Sequence, residues 1–569
     1  MLQTWHDVVP FWSLSPAGSG KDFWGFLQYF DDLYNFKEHL NVMSLWPFTI
    51  SHWHDLVAHR GLNVCEPVGQ VLKAASVDLL GNDAHSLRVV SLLFHTINAL
   101  LLWAWLKKFC CTKSHAVIFT CLLWWLSPLN VEVIGWLSAQ NYVFSLLFAL
   151  LAALSVEYHW RMWTTLMLYA LAVLCKAPAI AIVLPLIMRK FQLDSKGGGS
   201  YAMAASLVLT AGVFVQLTLH SNSESEQQYP ETSTESYWVG AVLRASMTCV
   251  IFLQRALFPT DLRAHYTYHQ EHLYYLLQGM DLGLDSPAVF SVAFLLATTL
   301  FALSFWGSKN AVLCHAWLAY LACWLPLSGF IQHGDATQFG GNRYAYFPLT
   351  FGLAPLLCSA LSKVSRRVLM LPVMCLLLGY SYVSNRFLVT WRGDKALLNH
   401  CLTLDASDPV CHRFASEYYG HHEQDAARAT FHRRREFELV AKRGREHLLG
   451  TNDLLYMGHL HTSMNELAPA CSMYKRAFEL GLPKKGPRDQ AANNWIMVRN
   501  NMLLCMFLAG DGNKADLRAE LSSFASELES MTLRPRIARL MSATVDKISR
   551  YLDPNDAAYG QPFHSDFVH

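Results

Sequence analysis

The sequence predicts an all-α protein in which a polytopic bundle of membrane helices precedes a soluble α-solenoid of degenerate repeats. The 569 residues are 53% hydrophobic and 15% charged, whereas soluble proteins carry about 25% charged residues. The deficit lies within 86–390, and 391–569 have an ordinary soluble composition. We therefore predict a loop region at 1–86, a multi-pass domain at 87–390, helical repeats at 391–550 and a disordered tail at 551–569.

Apolar runs near the length of a membrane helix recur through the first part of the chain. A further run, 238–258, carries Arg244 and Arg255. We interpret this run as an interfacial amphipathic helix, with a true span whose arginines snorkel as the alternative. The predicted spans are 87–107, 115–131, 142–158, 162–176, 178–190, 202–219, 287–306, 311–330, 344–362 and 367–387.

Lysine and arginine in the short loops predict the orientation of the bundle. Basic residues follow the first, third and fifth spans, and more lie between 306 and 311 and between 362 and 367. With these loops in the cytosol, residues 1–86, the loop 331–343 and the C-terminal domain lie on the opposite side. Residues 1–86 have no apolar run before them to carry them across. Either the first span inserts with its N-terminus translocated, or a first membrane helix is missing, and we favour the missing helix.

The C-terminal domain has tetratricopeptide spacing in one stretch. Leu454, Gly458, Ala470, Tyr474 and Ala477 fit a helix pair in which small residues let the helices approach closely. An unrelated helical bundle is the alternative. The fourteen cysteines show neither a disulfide framework nor metal-ligand spacing. The net charge of +2 indicates no nucleic-acid partner.

Carboxylates in the non-cytosolic loops are candidates for acid–base chemistry. Asp31 and Asp32 are adjacent, and two like charges close together can raise one of the two pKa values toward the working pH. The alternative is a capping or loop pair of aspartates. Glu132 lies at a span boundary among apolar residues, where it is either a functional acid or a solvated turn residue.

Two cations interrupt apolar runs on the same side. Lys176 precedes Ala177 and Pro178, and Arg343 with Tyr344 follows a glycine pair and enters a span. A lysine and a bidentate arginine suit a phosphate group. The alternatives are a snorkelling lysine at the interface and an arginine in an aromatic belt. No metal site is predicted.

These clusters, in this order, resemble the transmembrane and tetratricopeptide-repeat O-mannosyltransferases of the GT-C glycosyltransferase superfamily. The resemblance runs from about Phe30 into the repeats. The matching blocks are Asp31-Asp32, the stretch from His85 to Asn98, the turn from Pro128 to Trp136, Cys175 to Pro178, Arg343 to Pro348, and Thr390 to Arg392. The family also has a membrane helix before the acidic pair, which agrees with the missing helix expected from the topology.

The resemblance implies an inverting transferase in the endoplasmic reticulum membrane, with its repeats in the lumen. Its donor is a polyprenyl phosphate sugar, most simply dolichyl phosphate mannose, and its acceptor is a Ser or Thr of a luminal protein. Asp31 or Asp32 takes the hydroxyl proton, while Lys176 and Arg343 with Tyr344 hold the phosphate. No cofactor is implied with certainty, and a divalent metal stays open.

Some family positions differ in this chain. Relatives often carry histidine where it has Ser127 and Asn130, and aspartate where it has Asn342. These departures favour a rival hypothesis, a non-catalytic membrane-anchored repeat scaffold. A transporter is a third hypothesis, and it predicts polar residues facing each other at mid-membrane depth.

Overall fold

The structure is a computed structural model that divides into two compact units, Met1–Ala406 and Ser407–His569. The residues it describes are 45, 49–51, 60–61, 64–110, 113–194, 199–222, 234–260, 262–264, 287–306, 311–327, 341–442, 451–463, 467–480, 498–503, 505, 514–530, 542, 545–546 and 548–550. Asp31, Asp32 and the predicted tail 551–569 lie outside them.

Helices dominate both units, which confirms the predicted helical class. Within the described residues the exceptions are two antiparallel strands of two residues each, β1 (Arg60–Gly61) and β2 (Val64–Cys65). The first eight helices of the N-terminal unit are α1 (Pro67–Leu80), α2 (Ala84–Phe109), α3 (Ser114–Trp125), α4 (Val131–Gly135), α5 (Gln140–Glu157), α6 (Met162–Cys175), α7 (Val183–Leu193) and α8 (Gly199–Asn222).

The remaining helices of this unit also follow the apolar pattern of the sequence, so that each of the ten predicted spans overlaps a helix. The run at 238–258 forms a helix too, in which Arg255 is buried with its guanidinium over the Phe252 ring. These helices are α9 (Thr234–Leu257), α10 (Pro287–Leu303), α11 (Ala311–Trp324), α12 (Asn342–Ser362), α13 (Arg366–Thr390) and α14 (Asp394–Leu404).

Four helices in the described part of the chain are long and apolar enough to cross a membrane. They are α2, Leu137–Glu157, α12 and α13, and a fifth candidate is α3 with Pro128–Gly135, a pair bent by 45°. The outer faces are apolar as well, since Leu371 of α13 is 74% exposed and Leu300 of α10 is 68% exposed. Exposed apolar side chains on these helices are compatible with a lipid bilayer.

Three helical breaks place backbone and polar side chains inside the bundle. Pro128 begins a 3₁₀ turn between α3 and α4, and Pro178 lies in the 3₁₀ helix Ala177–Ile182 between α6 and α7. α12 starts with a 3₁₀ turn and widens to a π-helix at Leu349–Leu353. Proline causes such breaks because it lacks an N–H and clashes with the preceding turn, and π turns often mark functional sites.

A buried polar network joins α2, α3, α5 and α12. His95 Nε2 lies 3.1 Å from the Trp125 carbonyl, and its Nδ1 lies 2.8 Å from the Tyr346 hydroxyl. A carbonyl only accepts, so Nε2 carries the proton and Nδ1 accepts from Tyr346. Asn98 Nδ2 donates to the Val143 carbonyl at 2.9 Å. The block from His85 to Asn98 therefore packs directly against the block that begins at Arg343.

The helices of the C-terminal unit include α15 (Pro409–His421), α16 (Ala426–Lys442), α17 (Thr451–Ser463), α18 (Leu467–Leu480) and α19 (Lys514–Ser530). α15 packs on α16, and α17 packs on α18. Leu454, Ala470, Tyr474 and Ala477 share one core. The Tyr474 ring covers Gly458, where an added Cβ would overlap the ring carbons.

A disulfide joins Cys471 of α18 to Cys505, 34 residues further along the chain. The prediction that the cysteines form no disulfide framework is therefore wrong for this pair. Its two members are far apart in sequence and become neighbours only when α18 packs on the following segment. Within the described residues, the free cysteines include Cys121 and Cys175, both buried in the N-terminal unit.

Candidate functional site

The two predicted phosphate-binding cations are each neutralised by a carboxylate. Lys176 Nζ donates to Glu66 Oε1, and Arg343 Nη1 donates to Glu132 Oε1. Both carboxylates are buried. A buried carboxylate or ammonium is costly unless it is paired and hydrogen-bonded, so each partner accounts for the presence of the other.

Lys176 occupies the break between α6 and the 3₁₀ helix. Its backbone is extended (φ −155°, ψ 117°), because Pro178 disfavours continuation of the α-helix. The ammonium lies 5.3 Å from the centroid of the Tyr142 ring. Its side chain keeps 21% of its surface accessible, compared with 7% for Glu66. The ammonium is therefore the more open half of this pair.

Glu66 comes from a helix that turns a polar stripe toward the bundle. Glu66, Gly69, Gln70 and Lys73 are spaced at helical intervals just before and along α1, and all are buried. α1 packs against α5, α6 and α2. The apolar end of α1 points outward, with Leu79 81% exposed. This inverts the usual amphipathic pattern and brings polar groups to the interior.

Asn141, the second residue of α5, completes the environment of Glu66. Its Nδ2 donates to Glu66 Oε2 at 2.6 Å. A Cβ on Gly69 would lie 2.8 Å from the Asn141 side chain. Within the described residues, the buried oxygens Asn141 Oδ1 and Gln70 Oε1 have no hydrogen-bond donor. Two buried acceptor oxygens beside the Glu66–Lys176 pair are therefore available to a hydrogen-bond donor.

Glu132 is held from two directions. Besides the bond from Arg343, its Oε2 accepts the backbone N–H of Asn342 at 2.7 Å. A Cβ on Gly341 would overlap the Arg343 guanidinium and lie 3.2 Å from Glu132 Oε1. The glycine pair before Arg343 therefore includes Gly341, which permits close packing over the ion pair.

Arg343 lies between two aromatic rings. Its guanidinium carbon is 4.6 Å from the Trp136 ring centroid and 4.5 Å from that of Tyr344. Trp136 in turn stacks on the buried Trp391, with centroids 6.3 Å apart. The planar guanidinium suits this arrangement. Three blocks that carried the resemblance thus meet in one stack.

Tyr142 connects the two ion pairs. It lies under Lys176, and Glu66, Glu132 and Arg343 are all within its electrostatic range. The structure therefore brings together Glu132, Lys176, Arg343 and Tyr344. Among the described residues, Glu66, Glu132, Lys176 and Arg343 form two ion pairs in which two carboxylates balance two cations.

Two of the residues that differ from the resembled pattern, Asn130 and Asn342, have structural partners. Asn130 Nδ2 donates to the Trp124 carbonyl at 2.7 Å. Asn342 Nδ2 donates to the Arg263 carbonyl at 3.1 Å. These asparagines fasten the turns that carry Glu132 and Arg343.

Sequence reasoning missed Glu66 and the role of Asn141. The signal available for Glu66 was its position before Pro67, at the start of a helix whose polar residues repeat at intervals of three and four. Its partner lies 110 residues away, and spacing does not reveal such a pairing.

Comparison of the chain with protein-family models, curated proteins and solved structures finds no match.

Proposed function

We propose that this protein transfers a sugar from a polyprenyl phosphate donor to a Ser or Thr hydroxyl of a protein. The observation that carries the proposal is the convergence of Lys176 and Arg343 on one polar cluster inside an apolar helical unit. A lipid-linked phosphate needs cations for its headgroup and apolar surface for its chain. Both are present in this unit.

In this reaction the acceptor oxygen attacks the anomeric carbon as the bond to the donor phosphate breaks. The hydroxyl proton passes to Asp31 or Asp32, and the phosphate leaves with the bonding electrons. Lys176 and Arg343 stabilise the charge that develops on the phosphate. Both Glu132 oxygens already accept hydrogen bonds, so we assign Glu132 the task of orienting Arg343.

Acceptor proteins in the lumen of the endoplasmic reticulum are part of the proposal. The Cys471–Cys505 disulfide supports this placement of the C-terminal unit, because disulfides persist in oxidising compartments and are rare in the cytosol. Basic loops between the membrane helices support the same orientation. The helix pairs of the C-terminal unit offer a surface for the acceptor chain.

The test is transfer of radiolabelled mannose from dolichyl phosphate mannose to luminal acceptors, in microsomes from cells without this activity. We expect activity from the full chain and a fall of about 10²–10⁴-fold on loss of the base in Asp31→Asn or Asp32→Asn. Glu157→Gln is the matched control, since Glu157 pairs with Arg189 at the far end of α5. Absence of transfer by a correctly inserted chain would reject mannose transfer and favour the scaffold.

A further inference from the structure

The two cations of the cluster differ in how firmly their carboxylates hold them. Arg343 is enclosed by Trp136 and Tyr344, and its side chain is 8% exposed. The Lys176 ammonium lies over the Tyr142 ring, and its side chain is 21% exposed. Lysine is also a point charge with three donors, whereas guanidinium geometry is fixed. Lys176 is therefore the cation that an entering anion reaches first.

An entering phosphodiester changes the charge balance of the cluster. A sugar phosphodiester carries one negative charge, and the Glu66–Lys176 pair is already neutral. An uncompensated charge in a buried, membrane-embedded site is strongly unfavourable. Uptake of one proton restores neutrality.

Glu66 is the group placed to take that proton. Lysine, arginine, tyrosine and cysteine are already protonated near pH 7, so only carboxylates and histidines are available as bases. Glu132 is fixed by Arg343 and the Asn342 N–H. Within the described residues, the titratable groups that interact with Glu66 are Lys176, Tyr142 and Cys175. The helices packed around it also carry Lys73, Asp78, His85, Arg88, His95, Lys107, Lys108, Glu157 and Tyr169.

Asn141 is suited to either protonation state of Glu66. In the ionised state its Nδ2 donates to the carboxylate, and its buried Oδ1 has no donor within the described residues. Rotation of the amide by half a turn presents Oδ1 to Glu66, where it accepts the O–H of a protonated carboxyl. The unused oxygen thus has a partner in the second state.

We propose that binding of a phosphodiester to Lys176 displaces Glu66, which takes up one proton from solvent and then donates a hydrogen bond to Asn141. This inference rests on the proposed function, because it concerns the donor site. The Lys176–Glu66 ion pair breaks and a Lys176–phosphate contact forms. No covalent bond changes other than the new O–H of Glu66.

The experiment measures binding of dolichyl phosphate mannose to the full chain in nanodiscs between pH 5.5 and 8. The diester does not titrate in this range, so the pH dependence belongs to the protein. Coupling to one proton predicts that the dissociation constant falls about tenfold per pH unit as the pH drops while Glu66 is ionised in the free protein. Glu66→Gln removes the competing anion, so it binds more tightly at pH 8 and loses the pH dependence.

Two control variants separate this proton from others. Glu157→Gln removes a buried carboxylate paired with Arg189, about 24 Å along α5 from Asn141 at 1.5 Å per residue. His85→Gln removes the histidine at the start of α2. Both retain the pH dependence if Glu66 is the proton acceptor.

Each outcome bears on one of the two proposals. Binding with the same affinity at every pH overturns the proton coupling and leaves the proposed function standing. A pH dependence that persists in Glu66→Gln also overturns it. Absence of binding at every pH, in parent and variants, rejects this donor class and both proposals with it.

Discussion

Glu132 and Arg343, 211 residues apart in the sequence, form an ion pair in which the glutamate side chain is fully buried. The backbone N–H of Asn342 supplies a second hydrogen bond to the same carboxylate. The pair fastens α4 to the start of α12. A double-mutant cycle therefore measures how much this ion pair contributes to the free energy of unfolding.

Arg343→Met should lower the free energy of unfolding by about 3–5 kcal/mol, because Glu132 is left charged and buried. Glu132→Gln combined with Arg343→Met should recover part of this loss, since no unpaired charge remains. Thermal unfolding of the purified protein in detergent measures both. Glu132→Gln alone completes the comparison. A double variant whose loss of unfolding free energy equals the sum of the losses in the two single variants contradicts the pairing.

Gly69→Ala should displace Asn141 and weaken its bond to Glu66. The added Cβ would lie 2.8 Å from the Asn141 side chain, and overpacking of this kind typically costs about 1–3 kcal/mol. Gly379→Ala in α13 is the matched control, because no atom lies within 4 Å of its Cβ. Helix propensity alone predicts a small gain there. Equal unfolding temperatures for the two variants would argue against the close contact.

Gly458→Ala should destabilise the C-terminal unit by about 1–3 kcal/mol, because the new Cβ overlaps the Tyr474 ring. Gly420→Ala is the control, since its Cβ would meet Ala429 at an ordinary 3.6 Å. Hydrogen exchange of α17 and α18 in the full chain reports the difference. Unchanged protection in Gly458→Ala would show that the two helices are not packed this closely.

Acidification should destabilise the contact between α15 and α16. Burial, reinforced by His412 and Arg428, lowers the pKa of His432 to about 4, and the two imidazoles share a hydrogen bond of 2.9 Å. An unfolded histidine has a pKa of about 6.5, so the unfolded state binds more protons between these values. Stability is therefore lost as the pH falls through 6.5 toward 4.

The measurement is hydrogen-exchange protection of α16 in the full chain at pH 7.5 and 5.5, corrected for the intrinsic exchange rate. His432→Gln should reduce the difference between the two pH values. Protection that rises on acidification in the parent protein would contradict the lowered pKa.

Cys471 and Cys505 should be oxidised in the membrane-inserted protein. Alkylation before and after reduction, followed by peptide mass spectrometry, measures the fraction of each thiol. Loss of the disulfide in Cys471→Ser should destabilise the C-terminal unit by about 2–4 kcal/mol. Fully alkylated cysteines without reduction would place this unit in a reducing environment and contradict the luminal part of the proposal.

The sequence predicted the positions of the helices well because their signal is local. An apolar run of about 20 residues identifies a candidate span without knowledge of its neighbours, and Pro128 and Pro178 mark breaks for steric reasons. Lys176 and Arg343 were identified as candidates for the same reason, since a cation inside an apolar run is costly.

The sequence did not reveal which charged residues of the cluster form ion pairs with each other. Glu66 meets Lys176 across 110 residues, and no local pattern encodes a contact of that separation. The disulfide was missed on the same ground, since Cys471 and Cys505 have no diagnostic spacing.

The sequence by itself thus determined that this is a helical protein with an apolar first part, and which charged residues are unusual. Only the tertiary structure decided that Glu66 neutralises Lys176, that Glu132 neutralises Arg343, and that Tyr142 lies between the pairs. Hydrophobicity acts on each segment separately, whereas the balance of buried charges depends on which segments pack together.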